Sequence, residues 1–429
     1  MSQYKSSMFS DAVYLFGTTF SSAPSRFDNK EELPDGTKVE QLKLAVQAVL
    51  AAFAYLSYQQ GKYSQSEDYF LQALVIYQEC VGLPHSLVVC TYCGLGNVYL
   101  ALANYVLAEK FFWDALNIWQ QMPKPQHPFM CASLNGLAHL SIERGKYGQA
   151  ELYLQQERAH LEQTLQPLHP ALAHNLNDYA LLFVAQGKYN QVEPFLRQSL
   201  KILEQSVGLR HPFAGCTLDT LGRLCYLNRE YPKAEQLFQK AQNILEQALG
   251  CEHPEVLTTI NNLADVYVEQ DKLNLAEELY KEVVLAKRIR IFGSEHPSVA
   301  QTFQSMAHLS YFRGKGYYEQ SEQLYNRALI IREEVLGREH PAVAQTLHGL
   351  AEIYYWKWKK FDLAETFFEQ ALAIYEKVQV PEHPEVARIL ITYASFLMVR
   401  GRNFEAAEAM SRAKAILAKH ALASDAFDQ

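Results

Sequence analysis

A basic excess is missing from this chain of 429 residues. Lys and Arg total 39 against 47 Asp and Glu, a formal charge of −8 with a pI near 6.0. Nucleic acids and anionic membranes need a basic surface, so neither is expected as the main partner. Long apolar runs are missing too. The longest, Leu44 to Leu56, is too short to span a bilayer and contains Gln47, so no membrane insertion is expected. No secretory signal is expected either: the apolar stretch Ala12 to Phe20 follows Asp11 and lacks a clean small-residue cleavage site. Gly and Pro together number only 36, while apolar residues make up 49%, which excludes a low-complexity chain. Seven cysteines, an odd count mostly inside helical patterns, point to a reduced, cytoplasmic setting rather than a disulfide framework.

Catalytic constellations are also absent. Cys90-x-x-Cys93 has redox or metal spacing, but it lies in a helical pattern, and no second pair follows at zinc spacing. Gly94-Leu95-Gly96 and Gly314-Lys315-Gly316 lack the strand, the third glycine or the Gly-Lys-Ser/Thr ending of a phosphate loop. No Ser, His and acid grouping assembles from the sequence. The expectation is therefore no enzyme, no cofactor and no metal.

What is present is a recurring histidine. It stands at His85, His127, His169, His211, His253, His296, His340 and His383, with intervals of 42 residues that become 43, 44 and 43 toward the end. From His127 onward each is followed by proline; at the first site the order is Pro84-His85. Such a period marks a solenoid of stacked units, each too small to bury its own apolar face. The histidines lie about one repeat apart, too far to share a metal, and are expected to cap helices and pack between units.

Between landmarks the same text returns. Leu134-Asn135-Gly136-Leu137-Ala138, Gly145-Lys146-Tyr147 and Ala150-Glu151 are matched by Leu176 to Ala180, Gly187-Lys188-Tyr189 and Val192-Glu193. They are matched again by Ile260 to Ala264, Asp271-Lys272-Leu273 and Ala276-Glu277. Apolar residues in each half follow the helical period, so each unit reads as helix A, a tight turn, helix B and a loop. Proline after the histidine suits the first helical position, where no donor is needed. Glycine three residues before it (Gly82, Gly208, Gly250, Gly293, Gly337) fits a left-handed cap closing helix B. A glutamate recurs in every helix B (Glu67, Glu109, Glu151, Glu193, Glu235, Glu277, Glu322, Glu365, Glu408). It is expected to be structural, meeting the positive end of the helix dipole in the first turn.

The pattern Leu95-Gly96-x2-Tyr99 with Ala108-x3-Phe112 resembles the tetratricopeptide repeat (TPR), as do Leu263-Ala264-x2-Tyr267 with Ala276-x3-Tyr280 and Leu350-Ala351-x2-Tyr354 with Ala364-x3-Phe368. The 42-residue period and the His-Pro loop make it similar to the kinesin-light-chain-like subfamily. The resemblance implies an all-α, right-handed superhelical solenoid of about nine repeats over residues 41–420. Residues 1–40 are left as an extension, partly disordered or docked, and 421–429 as a tail. Departures occur at Ser141, Cys225 and Ser310, which replace the helix A tyrosine. Extra residues before His296 and at the A–B turns of units seven to nine are expected to modify one rim of the C-terminal half.

In this family helix A lines the concave groove. The position two before its core leucine runs Ala51, Cys93, Asn135, Asn177, Asp219, Asn261, Gln304, His348, Ile391. Amides both donate and accept, so this ladder could pair with an extended peptide backbone. Two residues after the core leucine stand His139, Leu181, Arg223, Asp265, His308, Glu352 and Ser395. The expected peptide groove is therefore Asn135, His139, Asn177, Asp219, Arg223, Asn261, Asp265, Gln304, His308 and His348. Its mixed charge does not match the basic groove that kinesin light chains present to acidic cargo, and a neutral or basic segment is the more natural partner. The expected function is a protein-interaction scaffold holding a peptide or partner protein. The alternative is a ligand-responsive regulatory arm acting on a separate effector chain.

Overall fold

The computed structural model describes residues 46, 49–58, 62–80, 86–121, 129–377 and 382–421. The expected extension at 1–40 and the tail beyond Ala421 lie outside them. Among the described residues the chain is helix and turn without strand. The first unit pairs helical residues 49–58 with α1 (Tyr63–Cys80). Then come α2 (Ser86–Ala101) with α3 (Tyr105–Gln120), α4 (Phe129–Glu143) with α5 (Tyr147–Thr164), and α6 (Pro170–Ala185) with α7 (Val192–Ser206). The fifth and sixth units are α8 (Pro212–Leu227) with α9 (Tyr231–Leu249), and α10 (Pro254–Glu269) with α11, which runs from Leu273 to Phe292. The last three are α12 (Pro297–Arg313) with α13 (Tyr318–Leu336), α14 (Pro341–Glu352, continued by Ile353–Trp358) with α15 (Phe361–Lys377), and α16 (Pro384–Val399) with α17 (Asn403–Ala421).

His85 and His127 lie outside the described residues; each of the six landmark histidines from His169 onward is the N-cap of its helix A. The Nδ1 of His169, His211, His253, His296, His340 and His383 accepts the backbone N–H two residues on, at 3.0–3.3 Å. Proline fills the first helical position, which has no donor to satisfy. The A–B turn is closed by one left-handed residue, such as Gly187 (φ 73°) or Arg229 (φ 62°). The following N–H reaches back to the last turn of helix A, as from Lys188 to the Phe183 carbonyl at 2.8 Å. The glycine that closes helix B differs from expectation. Gly250 sits at φ 87°, ψ 155° and Gly337 at φ 85°, ψ 155°. This is an extended positive-φ region open essentially to glycine alone, not the left-handed helical one.

An aromatic of helix B fills the space left by glycine on helix A. A Cβ on Gly136 would fall 2.3 Å from the Phe112 ring, and one on Gly349 would fall 2.5 Å from Tyr325. The recurring glutamates meet the expectation only in part: Glu193 does lie in the first turn of α7. In α9, Glu235 is the fifth residue, past the free N–H groups of the first turn. It ties its unit to the next one instead. Glu235 meets Lys272 at 3.0 Å, Glu67 accepts from the Tyr99 hydroxyl at 2.6 Å, and Glu109 pairs with Arg144 at 2.6 Å.

The extra residues of the C-terminal half are absorbed partly inside helices rather than only at the rim. The residue added before His296 becomes a π-helical segment, Leu279–Leu285, within α11. The one added in unit eight becomes the π segment Ile353–Trp358 that ends helix A. Widening one turn holds an inserted residue without breaking the flanking helix. In unit seven the addition forms the short 3-10 turn Lys315–Tyr317.

The solenoid closes on itself every five units. The cap fixes each imidazole with Nδ1 as acceptor, so Nε2 carries the proton and donates. His296 Nε2 meets the Ala101 carbonyl of unit two at 2.8 Å, and His340 Nε2 meets the Glu143 carbonyl of unit three. His383 packs on the Tyr189 ring of unit four, with centroids 6.5 Å apart. There a Cβ on Gly187 would lie 2.2 Å from Pro384 Cδ. Phe292, ending unit six, stacks on Tyr63 of unit one at 5.6 Å.

Candidate functional site

This closure turns the concave face into a narrow lumen walled by the A helices. Arg388, on α16, marks it. Its side chain keeps 58% exposure and pairs with Glu385 at 2.8 Å. Its charge is felt by Tyr226 of α8, His308 of α12, His348 and Glu352 of α14, and Tyr375 of α15. A cation that stays exposed while its charge reaches so many elements faces the space between the helices rather than the core of any one unit. The facing Glu385, then Glu352 with the Tyr226 and Tyr375 hydroxyls, hold its guanidinium firmly charged against the penalty of enclosure. Enclosure raises the Glu352 carboxyl and pushes the His308 imidazole down to about 4.

Where the two turns of the superhelix meet, the lumen holds a cavity of about 190 Å³. Arg223 and Tyr226 of α8, Asp265 of α10, Gln345 of α14, Tyr375 of α15 and His383 are on its walls. An outer cleft between the turns shares Tyr147 and His383 with it. Arg144, Lys146, Lys188, Arg338 and Lys377 edge that cleft.

The expected groove residues divide into two sets. Arg223, Asp265, Gln304 and His308 are half-buried on the lumen side. Asp265 accepts from the Tyr280 hydroxyl at 2.5 Å and from Asn261 at 3.2 Å, and burial lifts its carboxyl to about 6. Gln304 accepts from Arg332 and from Thr346 at 3.2 Å. His308 packs edge-on against Phe312 at 4.7 Å. The other six are buried in the wall: Asn135, His139, Asn177, Asp219, Asn261 and His348. Asp219 accepts from Asn262 at 3.2 Å, and His348 stands 3.8 Å from Glu352.

Two buried polar assemblies have no counterpart in the sequence reading. Between units three and four, Asp178 takes His174 Nδ1 at 2.7 Å, His139 Nε2 at 3.2 Å and Asn135 Nδ2 at 2.7 Å. Glu157 takes Asn135 at 3.2 Å and Asn175 at 2.9 Å. Burial and the Asp178 charge raise the Glu157 carboxyl to about 8. Asp178 stays ionised well below the usual range: its two imidazole neighbours outweigh its desolvation. In units six and seven, Arg288 and Arg332 are buried instead. Arg288 donates to the Ser298 carbonyl at 2.7 Å and Thr302 at 2.9 Å; Arg332 repeats this with Ala342 at 2.8 Å and Thr346 at 2.7 Å. The sequence carried a signal for the pair, because the same helix B position is Leu161, Leu203 and Leu245 in earlier units.

Among the described residues no cluster of three or more His, Cys, Asp or Glu could hold a metal ion, and no helix is long and apolar enough to cross a membrane. The Cys93 thiol meets Ser133 at 3.1 Å, and burial pushes it up to about 12, the state of an inert core thiol.

Fold and lumen together define a helical-repeat solenoid. The chain belongs to the tetratricopeptide repeat family, which it matches over residues 46–121, 87–163, 129–205, 213–284 and 309–377. No curated protein matches it in sequence. Among solved structures it is similar to kinesin light chain TPR-like repeats of Podosopora anserina: 24% identity, 48% of this chain and 97% of that one, TM-score 0.37. It is similar also to BtubC (BKLC) of P. vanneervenii: 22% identity, 57% and 89% covered, TM-score 0.36. A Rap protein complexed with Competence and Sporulation Factor shares the fold over more of the chain: 15% identity, 86% and 94% covered, TM-score 0.57.

Proposed function

We propose that this protein is a non-catalytic interaction scaffold that takes an extended peptide, free or as part of a partner protein, along its lumen. The observation that carries the reading is Arg388: a cation 58% exposed, yet one whose charge reaches side chains of four other helices. Along the lumen the backbone of an extended chain would meet half-buried polar groups such as Asp265, Gln304 and His308. The amides Asn135 and Asn261 act in this reading as supports behind the surface, because their side chains are engaged within the wall. The excess of carboxylates around Arg388 favours a neutral or basic segment over most of the length.

The second reading, a ligand-responsive regulator, draws support from His383, which borders both the lumen cavity and the contact between turns. A ligand there would bear on the closure itself. The Rap structure, solved with a factor bound, is an instance of the fold holding a ligand.

Affinity capture with the full chain, followed by direct titration of the captured peptide, tests the proposal. Replacing Arg388 and Glu352 with Gln together should weaken capture by about 1–3 kcal/mol, allowing ~0.5–1.5 per hydrogen bond, with an unchanged melting temperature. Unaltered affinity in that folded variant would place the partner on the outer surface.

A further inference from the structure

The first unit carries an apolar face that the later units bury. Val49, Phe53 and Leu56 stand at i, i+4 and i+7 on its helix A and are 49%, 52% and 48% exposed. One period on, at the same positions, Thr91, Leu95 and Val98 are 1%, 0% and 0% exposed. In unit three the counterparts Leu137 and Leu140 pack into the cluster built by the preceding unit. These positions are therefore the seat of a preceding helix B, and among the described residues no helix precedes unit one. The repeat period does not supply one. In register it would occupy residues 21–38, where Pro24, Pro34 and Gly36 interrupt a helix. An end unit normally turns a polar face outward, since a bare apolar one invites association.

We propose that residues 9–20 of the same chain form an amphipathic helix that docks on this face and caps the solenoid. Phe9, Val13, Phe16 and Phe20 repeat at i, i+4, i+7 and i+11, the spacing of the face itself. Asp11 and Thr18 fall on the opposite side of the same helical wheel. A narrow stripe of four large apolar residues, three of them aromatic, needs cover as much as the face does. The polar stretch Ser21 to Glu40 joins the two. Its 20 residues, as a flexible chain, span roughly 25 Å on average, enough to fold the stripe back onto the helix that follows. Gly17 weakens the segment as an isolated helix, so it orders against the face rather than alone. Unit one also receives Phe292 of unit six through Tyr63, so a cap that holds unit one braces the point where the superhelix first closes.

The inference does not use the lumen reading. Hydrogen exchange of the full chain, followed by mass spectrometry, tests it. Amides of residues 9–20 should exchange about tenfold more slowly, or more slowly still, than those of the linker at 21–40. Phe53→Asp on the face and Phe16→Asp on the stripe should each bring them to the linker rate. Leu152→Asp, at an exposed site of unit three, should leave them protected. Phe53 and Leu152 are 52% and 51% exposed, so neither change buries a charge in the folded units, and circular dichroism checks that both variants fold. Protection should persist on hundredfold dilution. Exchange of residues 9–20 at the linker rate in the unaltered chain overturns the cap. So does protection that survives Phe53→Asp, which places the segment elsewhere. Protection lost on dilution, together with a falling sedimentation mass, puts a second copy on the face and overturns it equally.

Discussion

Units three and four are joined around buried carboxylates, units six and seven around buried guanidinium groups, and the two solutions differ in how replaceable they are. Asp178 and Glu157 sit in one shared network with His139, His174, Asn135 and Asn175, where each side chain satisfies several others. Arg288 and Arg332 make bonds mostly to backbone carbonyls and threonines that already bond within their own helices, as Thr346 does to the Ala342 carbonyl at 3.0 Å. Removing an anion from the first site strands several partners. Removing a cation from the second strands few.

Asp178→Ala should therefore have the largest effect. It leaves two imidazoles and an amide uncompensated in a dry interface, a loss of about 3–5 kcal/mol read from the denaturation midpoint. Arg288→Leu should move the same midpoint by less than about 1 kcal/mol, because leucine is the residue other units carry there and a well-packed apolar substitute often matches a buried ion. Equal losses in the two variants would erase the distinction between the regions.

Next in size is Gly187→Ala. It places a Cβ against Pro384 and strains a residue at φ 73°, so the turn between units four and nine should open. We expect a loss of about 1–3 kcal/mol and a larger radius of gyration in X-ray scattering. An unchanged radius would show that closure does not depend on that contact. His340→Ala removes both a cap and an inter-turn bond, for about 1–3 kcal/mol.

Two sets of buried groups respond to pH in opposite senses. Burial holds His253 and His340 down to about 4, and lowers His169 and His211. Their contribution is complete above the unfolded value near 6.5 and is lost as pH falls toward 4. Glu157 is raised to about 8, so its contribution is present below about 4.5 and is lost as pH rises to 8. Thermal stability should peak near pH 6.5, and Glu157→Gln should flatten the alkaline side alone. An alkaline decline that survives in the variant would assign it elsewhere. The smallest effect expected is from Glu235→Gln, about 0.3–1 kcal/mol, since its tie to Lys272 is surface-exposed.

The helix pairs, their caps and the aromatic-on-glycine packing were legible because each depends on residues within one 42-residue window. His211-Pro212 announces a helix start through local geometry alone. The closure was not legible, because it depends on a small rotation between neighbours accumulated over five units. That same winding explains the site. Asn135 and His139 occupy the inward helix A positions the pattern assigns them, yet tight coiling buries those positions between units. Arg223 and Asp265 sit at the same kind of position two and three units on and remain half-open, because there the walls bound the cavity.

The return of the chain every five units has a consequence for cooperativity. A plain array behaves as a one-dimensional row in which each repeat knows only its neighbours, and ends can fray independently. Here His296 and His340 reach partners 195 and 197 residues away. The array is thereby rolled into a cylindrical lattice with bonds along the strip and across it. Melting one repeat must also unseat the one stacked above. Such distant contacts raise contact order, so this chain should fold more slowly, and unfold in larger blocks, than an open array of the same length.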